Sequence, residues 1–262
     1  MKIVAHLPAT ELLKGLSALR EIISLGTGVE FQLTADVLDS FTFKDYGRLK
    51  EEVKGVPVTV HAPFLDLNPG ALDPYVLEAT RRRFLETVSV AKVLGAGVIV
   101  FHTGYHPRKV GPFYREWFRR AVETFQIVSE EFEGKIALEN VFDETPAVLE
   151  EFMGELPPSV GACIDVGHLN LFSKVPLNEW FRALGDRIYE FHIHDNRGVS
   201  DEHAPAGSGT FDFESLFMLL DSLNSDYIFN LENKSPSDVR RSLDFFRRSE
   251  WKGKSEFTRM RS

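Results

Sequence analysis

Residues 98–104 read VIVFHTG, a short apolar run with three β-branched residues that ends in a histidine and a Thr-Gly break. β-Branched and aromatic residues in so short a stretch, closed by glycine, favour a strand. The same design recurs on both sides. Upstream lie VTVHAPF (58–64), GVEFQL (28–33) and KIVAHL (2–7). Downstream lie IALENVF (136–142), GACIDVG (161–167), YEFHIHD (189–195) and YIFNLEN (227–233). Successive runs start 25 to 40 residues apart, which leaves room for one helix and two loops in each interval. Strand–helix alternation implies parallel strands joined by right-handed crossovers. Eight such units predict an α/β protein built as a single (β/α)8 TIM barrel.

The intervening segments carry helical periodicity. Leu77, Phe84, Val88 and Ala91 fall on one stripe, as do Phe213, Leu216, Phe217 and Leu220. Thr10 before ELLKGL is expected to cap a helix. Thr145-Pro146 before AVLEEF is expected to start another, with the proline at its first position. Gly26 and Gly95 follow helical stretches where a left-handed cap is expected. No break in composition divides the chain. The expected organisation is one domain over residues 1–250, followed by a polar, basic tail over 251–262 (WKGKSEFTRMRS).

The 262 residues are 43% hydrophobic and carry a net charge of −9. That charge argues against bulk electrostatic binding to nucleic acid, while leaving room for a local basic patch. Cys163 is the single cysteine, so no disulfide can form within the chain. A reducing compartment is the simpler reading. The opening MKIVAHLPATELL lacks a signal-peptide core, and no apolar run approaches the roughly 18 residues of a membrane span. The expected location is cytoplasmic.

The chemistry lies at the ends of the apolar runs. His61, His102, Glu139, Asp165, His168, His192 and Glu232 stand at or just past the tips of the third to eighth runs. Asp201 and His203 follow in the DEH segment. Carboxylates and imidazoles are costly to bury without partners. In a barrel, strand C-termini share one face. Convergence on one to three divalent ions would account for all nine, with zinc the first choice and manganese or magnesium the alternatives. A lone buried histidine is ordinarily a hydrogen-bonded core residue, so the case rests on the set rather than on any one member.

The segments HAPFLDLN, FHTG, LEN, CIDVGH, HIHDN, DEHAPAGSG and a second LEN, in this order and spacing, resemble the xylose-isomerase-like barrel superfamily. That superfamily includes endonuclease IV and many sugar isomerases and epimerases. The resemblance covers nearly the whole chain. From the nuclease branch it implies three zinc ions. His61 and His102 would hold the first, Glu139 would bridge to the second, Asp165, His192 and Glu232 would complete the second, and His168, Asp201 and His203 would hold the third. From the epimerase branch it implies a single ion on Glu139, Asp165, His192 and Glu232, with Glu139 and Glu232 also serving as catalytic acid and base. It further implies that Arg197, after HIHDN, contacts a sugar.

Other polar residues have weaker readings. His194 alternates with His192 and is expected to face inward, orienting a ligand or touching substrate. Phe64 is a candidate substrate contact, at a segment where the nuclease branch typically has tyrosine. His106 reads as loop surface, His6 as a satisfied core histidine, and Cys163 as a small buried residue. PAGSG (205–209) lacks a nucleotide-binding pattern and is expected to shape the Asp201–His203 loop. The favoured reading is a metal-dependent isomerase or epimerase with a small carbohydrate substrate, compatible with a homo-oligomer and needing no membrane. The alternative is an endonuclease IV-like hydrolase of abasic DNA, for which the loops lack an evident cluster of arginines.

Overall fold

The computed structural model describes residues 1–223, 226–249, 251 and 253. Eight parallel strands close a barrel in sequence order, each hydrogen-bonded to the next and β8 to β1. The strands are β1 (Lys2–Leu7), β2 (Gly28–Gln32), β3 (Val58–His61), β4 (Val98–His102), β5 (Lys135–Glu139), β6 (Val160–Asp165), β7 (Ile188–Ile193) and β8 (Ile228–Leu231). The (β/α)8 expectation therefore holds. Several of the apolar runs overshoot: strand pairing ends at His61, His102, Glu139 and Asp165, and the residues after them turn outward as loop or helix. His61, His102, Glu139 and Asp165 are thus the last residues of their strands, whereas His192 precedes the last residue of β7 and Glu232 follows β8 directly.

Helices fill the intervals less evenly than expected. Two helices lie in three of them: α1 (Ala9–Lys14) with α2 (Ser17–Ser24), α3 (Ala35–Ser40) with α4 (Phe43–Glu52), and α8 (Val166–Phe172) with α9 (Leu177–Leu184). Single helices occupy the others: α5 (Pro74–Leu94), α6 (Gly111–Glu131), α7 (Ala147–Glu155) and α10 (Phe213–Leu220), with α11 (Pro236–Arg248) after β8. Among the described residues, no helix is long and apolar enough to cross a membrane.

Strand side chains alternate with period two. Ile3, Ala5, Val29, Phe31, Ile99, Phe101, Leu138, Ile164, Phe191 and Phe229 join the large cluster that packs under the helices. Their neighbours Val4, Val98, Val100, Ala137, Cys163 and Ile228 form a separate apolar plug inside the barrel. Polar residues at the same parity sit above this plug. The inside of the barrel is therefore apolar at the bottom and ionisable at the top.

Most of the expected stripes face the core: Phe84, Val88, Ala91, Phe213, Leu216 and Leu220 are buried and Phe217 packs half-buried against them, whereas Leu77, in the first turn of α5, is half-buried and outside the core. Gly95 ends α5 with φ +75°, and Gly26 has φ +87°, as their cap positions require. Thr10 is not a cap. It lies inside α1, whose first amides bond to the Pro8 carbonyl. Pro146, with helical dihedrals, sits one place ahead of α7, and Thr145 makes no side-chain cap. The boundary of the polar tail also moves. Trp251 is 4% exposed and stacks on Phe217 at 5.1 Å, so it belongs to the core. Lys252 and residues 254–262 lie outside the described residues.

Phe152 anchors the packing of α7, with no exposure and its ring 4.7 Å from Phe118, 5.8 Å from Phe125 and 5.9 Å from Trp117. Phe152→Ala should cost about 3–5 kcal/mol of unfolding free energy, read as a lower urea midpoint with an unchanged slope.

Candidate metal centre and active-site cavity

All nine tip residues gather at the C-terminal mouth of the barrel. Strand register does much of this. His102 pairs directly with Glu139 across β4 and β5, and Asp165 with His192 across β6 and β7. Glu139 is 1% exposed. Its Oε2 lies 3.1 Å from His61 Nε2 and 3.2 Å from His102 Nε2. Its Oε1 lies 3.3 Å from His168 Nδ1 and 3.7 Å from His192 Nδ1. His192 Nδ1 also faces Glu232 Oε2 at 3.3 Å and Asp165 Oδ2 at 3.9 Å. On the outer side, His203 Nε2 is 2.9 Å from Asp201 Oδ2, and His168 Nε2 is 3.6 Å from the same oxygen.

Local sequence explains several placements. Asp165 ends β6 and caps α8, accepting from the His168 amide at 2.7 Å, so the D-x-x-H spacing brings the two side chains together. Asn140 grips the same residue from β5, donating to the Asp165 carbonyl and accepting from its amide. Asn233 performs the matching service after β8, donating to the carbonyls of His203 and Ala204. The two LEN segments thus supply a charged glutamate and, next to it, an amide that braces a neighbouring loop. His203 is held at φ +50°, unusual for a non-glycine residue. Asp195 anchors that loop by accepting from the amides of Gly209 and Phe211, which gives PAGSG its shaping function.

The donor set fits a metal. His61, His168 and His203 each donate Nδ1–H to a backbone carbonyl, at 2.9, 2.9 and 3.1 Å from Ala62, Asn140 and Glu232. That leaves Nε2 of each ring aimed at a carboxylate, the arrangement common among ligating histidines. Ligands about 2.0–2.2 Å from one ion stand roughly 3.3–3.6 Å apart when tetrahedral. The 3.3 Å from His192 Nδ1 to Glu232 Oε2 falls in that range and the 3.7 and 3.9 Å to Glu139 and Asp165 lie just beyond it, and Glu232 Oε2 and both His192 ring nitrogens are buried without a hydrogen-bond partner. Asp165, His192 and Glu232 offer ligand atoms within 4.8 Å of one another, as do Glu139, Asp165 and His168, and also His61, Glu139 and His192.

Charge states follow from the same contacts. Burial alone would push Glu139 and Glu232 up. The charges of His102 and His192 on the first, and of His192 and His203 on the second, instead hold both well below the usual carboxylate range. His203 rises to about 9: burial opposes this, but Glu232 and Asp201 outweigh it.

A cavity of about 460 Å³ opens over this cluster. Beyond the candidate ligands its wall includes His6, Gln32, Phe64, Phe142, Phe172 and Lys234. Phe64 stacks on His102 with ring centroids 4.2 Å apart. His194 has no exposure. It lies behind the wall, 3.0 Å from both Asp165 oxygens and stacked on His203 at 4.2 Å, so it holds those two side chains rather than meeting solvent. A Cβ on Gly167 would fall 2.0 Å from the His194 ring, so only glycine admits the histidine there. Arg197 stands away from the cavity, mostly exposed and paired with Glu202. His106 is loop surface against Phe142, and Cys163 is buried. His6 is hydrogen-bonded as expected, but it also lines the cavity.

Sequence reading missed Glu30, Glu190, Asn140, Asp143 and Asn233. A glutamate in the middle of GVEFQL, and another in YEFHIHD, were the available signals: each interrupts an apolar strand at inward parity.

A (β/α)8 barrel with clustered carboxylates and histidines at its mouth defines the class, and the chain belongs to the xylose isomerase-like TIM barrel family, whose model matches residues 19–249. It is 29% identical to the uncharacterized protein MJ1311 of Methanocaldococcus jannaschii over 73% of this chain and 69% of that one. Among solved structures, it is similar to the TTHB071 protein of Thermus thermophilus, soaked with zinc chloride, at 26% identity and TM-score 0.78, over 94% of this chain and 96% of that one. A D-tagatose 3-epimerase-like protein shares the fold at 23% identity and TM-score 0.75, over 99% of this chain and 98% of that one.

Asp143 provides a test of this electrostatic environment. It is 2% exposed, and burial pushes its carboxyl up to about 7, against the Val141 amide from which it accepts. The folded state therefore keeps a proton that the unfolded chain releases near pH 4. This stabilising contribution is complete below pH 4 and is lost as pH rises to about 7. Asp143→Asn should flatten that dependence. In chelator-treated protein, the variant should gain on wild type by up to about 4 kcal/mol between pH 4 and 7, measured by urea unfolding.

Proposed function

We propose that this chain is a divalent-metal-dependent isomerase or epimerase of a sugar or sugar-like hydroxy-carbonyl compound. The observation that carries the reading is the convergence of Glu139 Oε1, Asp165 Oδ2 and Glu232 Oε2 on His192 Nδ1, at 3.3–3.9 Å, beneath the cavity. Glu139, Asp165, His192 and Glu232 would hold the central ion. Such an ion polarises a carbonyl and its neighbouring hydroxyl, which makes the intervening C–H easier to ionise.

The chain's own residues do the rest. Glu139 and Glu232 approach from β5 and β8, and both are held as carboxylates at neutral pH. One would take the carbon-bound proton and the other return it. His61 and His102 keep Glu139 oriented. Phe64, Phe142 and Phe172 supply an apolar wall that limits water, and Gln32 and Lys234 offer hydroxyl partners. The sugar-epimerase likeness of a solved relative supports the same substrate class. The cavity volume suits a small molecule.

Glu232→Gln should reduce turnover about 100-fold or more while leaving the far-ultraviolet spectrum of the metal-free protein unchanged, since volume is kept and the proposed acid–base group is lost. The readout is deuterium uptake from D2O at the carbon beside the carbonyl, across a ketose panel. Wild-type activity in the variant would remove the two-glutamate mechanism.

A second reading, hydrolysis of abasic DNA, keeps support from one observation: the outer residues His61, His102, His168, Asp201 and His203 gather at the same mouth. Against it, Lys234 is the only lysine or arginine among the described residues lining the cavity, whereas backbone phosphates call for several. His203→Ala separates the two. Sugar turnover should persist in it at a substantial level, and neither protein should cut abasic duplex DNA at low salt. Robust cleavage by wild type, lost roughly 100-fold in the variant, would instead establish the hydrolase.

A further inference from the structure

Below the cavity floor, the barrel interior holds a second polar layer that the proposed reaction does not use. Glu30, Thr59, Glu190 and Asn230 are each fully buried. Thr59, Glu190 and Asn230 lie two residues before His61, His192 and Glu232 on their strands, so they sit directly under the candidate ligands. An isolated carboxylate at this depth would cost several kcal/mol. Glu30 is not isolated. Its Oε1 accepts from Asn230 Nδ2 at 2.6 Å and from His6 Nδ1 at 3.0 Å. Its Oε2 lies 3.5 Å from Thr59 Oγ1 and 3.4 Å from His192 Nε2.

His192 is therefore addressed from both sides. Its Nδ1 faces Glu139, Asp165 and Glu232, and its Nε2 faces Glu30. A ring that gives one N–H to a carboxylate keeps its lone pair, and more electron density, on the other nitrogen. His6 holds Glu30 from the other side, its Nδ1 bonded to Glu30 Oε1 at 3.0 Å.

We propose that Glu30 is a positioning residue for the central site: it fixes the ring plane and tautomer of His192 through Nε2. The inference rests on the metal-dependent reading above and extends it to a residue that touches neither ion nor substrate. Glutamine at this position keeps the volume but loses the charge, and its amide cannot accept from all of these donors.

The test is zinc titration of the full chain after chelator stripping, against a competing chromophoric chelator, for wild type and Glu30→Gln. The tight-site affinity should fall roughly 10- to 100-fold in the variant, with the far-ultraviolet spectrum of the metal-free form unchanged. A folded variant that binds zinc as wild type does would overturn the inference. Wild type that binds no zinc would overturn the metal reading beneath it. Should the variant fail to fold, long-range 15N–1H spectra of zinc-loaded wild type decide the matter. His192 ligated at Nδ1 and protonated at Nε2 is the expected result, and ligation through Nε2 overturns the proposal.

Discussion

One carboxylate, Glu139, stands within 3.7 Å of nitrogen atoms from four histidines on four other elements. The mouth of the barrel is organised around that convergence. A carboxylate almost wholly removed from water is tolerated only where positive charge or hydrogen-bond donors surround it. The rings that surround it are themselves costly to bury unpaired. Each group is stable because the others are present, so the cluster behaves as a unit whose members are not independently replaceable. A cation among them would satisfy the same demand more fully, which is why lone pairs left facing one another point to metal rather than to a set of simple ion pairs.

Barrel closure is what makes the convergence possible. Strand register brings the tip residues to one end: His102 lies opposite Glu139 and Asp165 opposite His192, while His61 lies opposite Val100 and Glu139 opposite Cys163, each two residues before the next strand's tip. The apolar plug below, from Val4 to Ile228, keeps the bottom of the barrel dry and well packed. Between plug and mouth, the Glu30 layer replaces aliphatic filling with hydrogen bonds. It contributes little hydrophobic stability at that level, and in exchange it fixes the ring of His192 from behind.

The loops carry the remainder of the burden. Asp201 and His203 come from a long connection after β7 and owe their position to Asp195, Asn233 and the cap of α8 rather than to any strand. This division separates a central group rooted in the sheet from an outer group rooted in loop hydrogen bonds. It also separates what simple proton transfer requires from what a multi-ion hydrolase would add.

The barrel was legible in the sequence because eight β-branched runs at regular spacing encode strand and crossover locally. The nine tip residues were legible because ionisable groups beside apolar runs violate ordinary burial preferences. Helix boundaries were less so: Pro8 rather than Thr10 opens α1, and Trp251 proved to be core, since packing outweighs local propensity. Glu30 and Glu190 escaped notice although each interrupts an apolar strand, because nothing local says which partners meet a side chain pointing into a closed barrel. His194 and Arg197 were separated only by tertiary structure, which buries one against Asp165 and leaves the other in solvent. Sequence determined which residues could do chemistry, through residue type and period. Tertiary structure decided which nitrogen of each imidazole faces which oxygen, because that depends on strand register and on carbonyl groups brought in from distant loops.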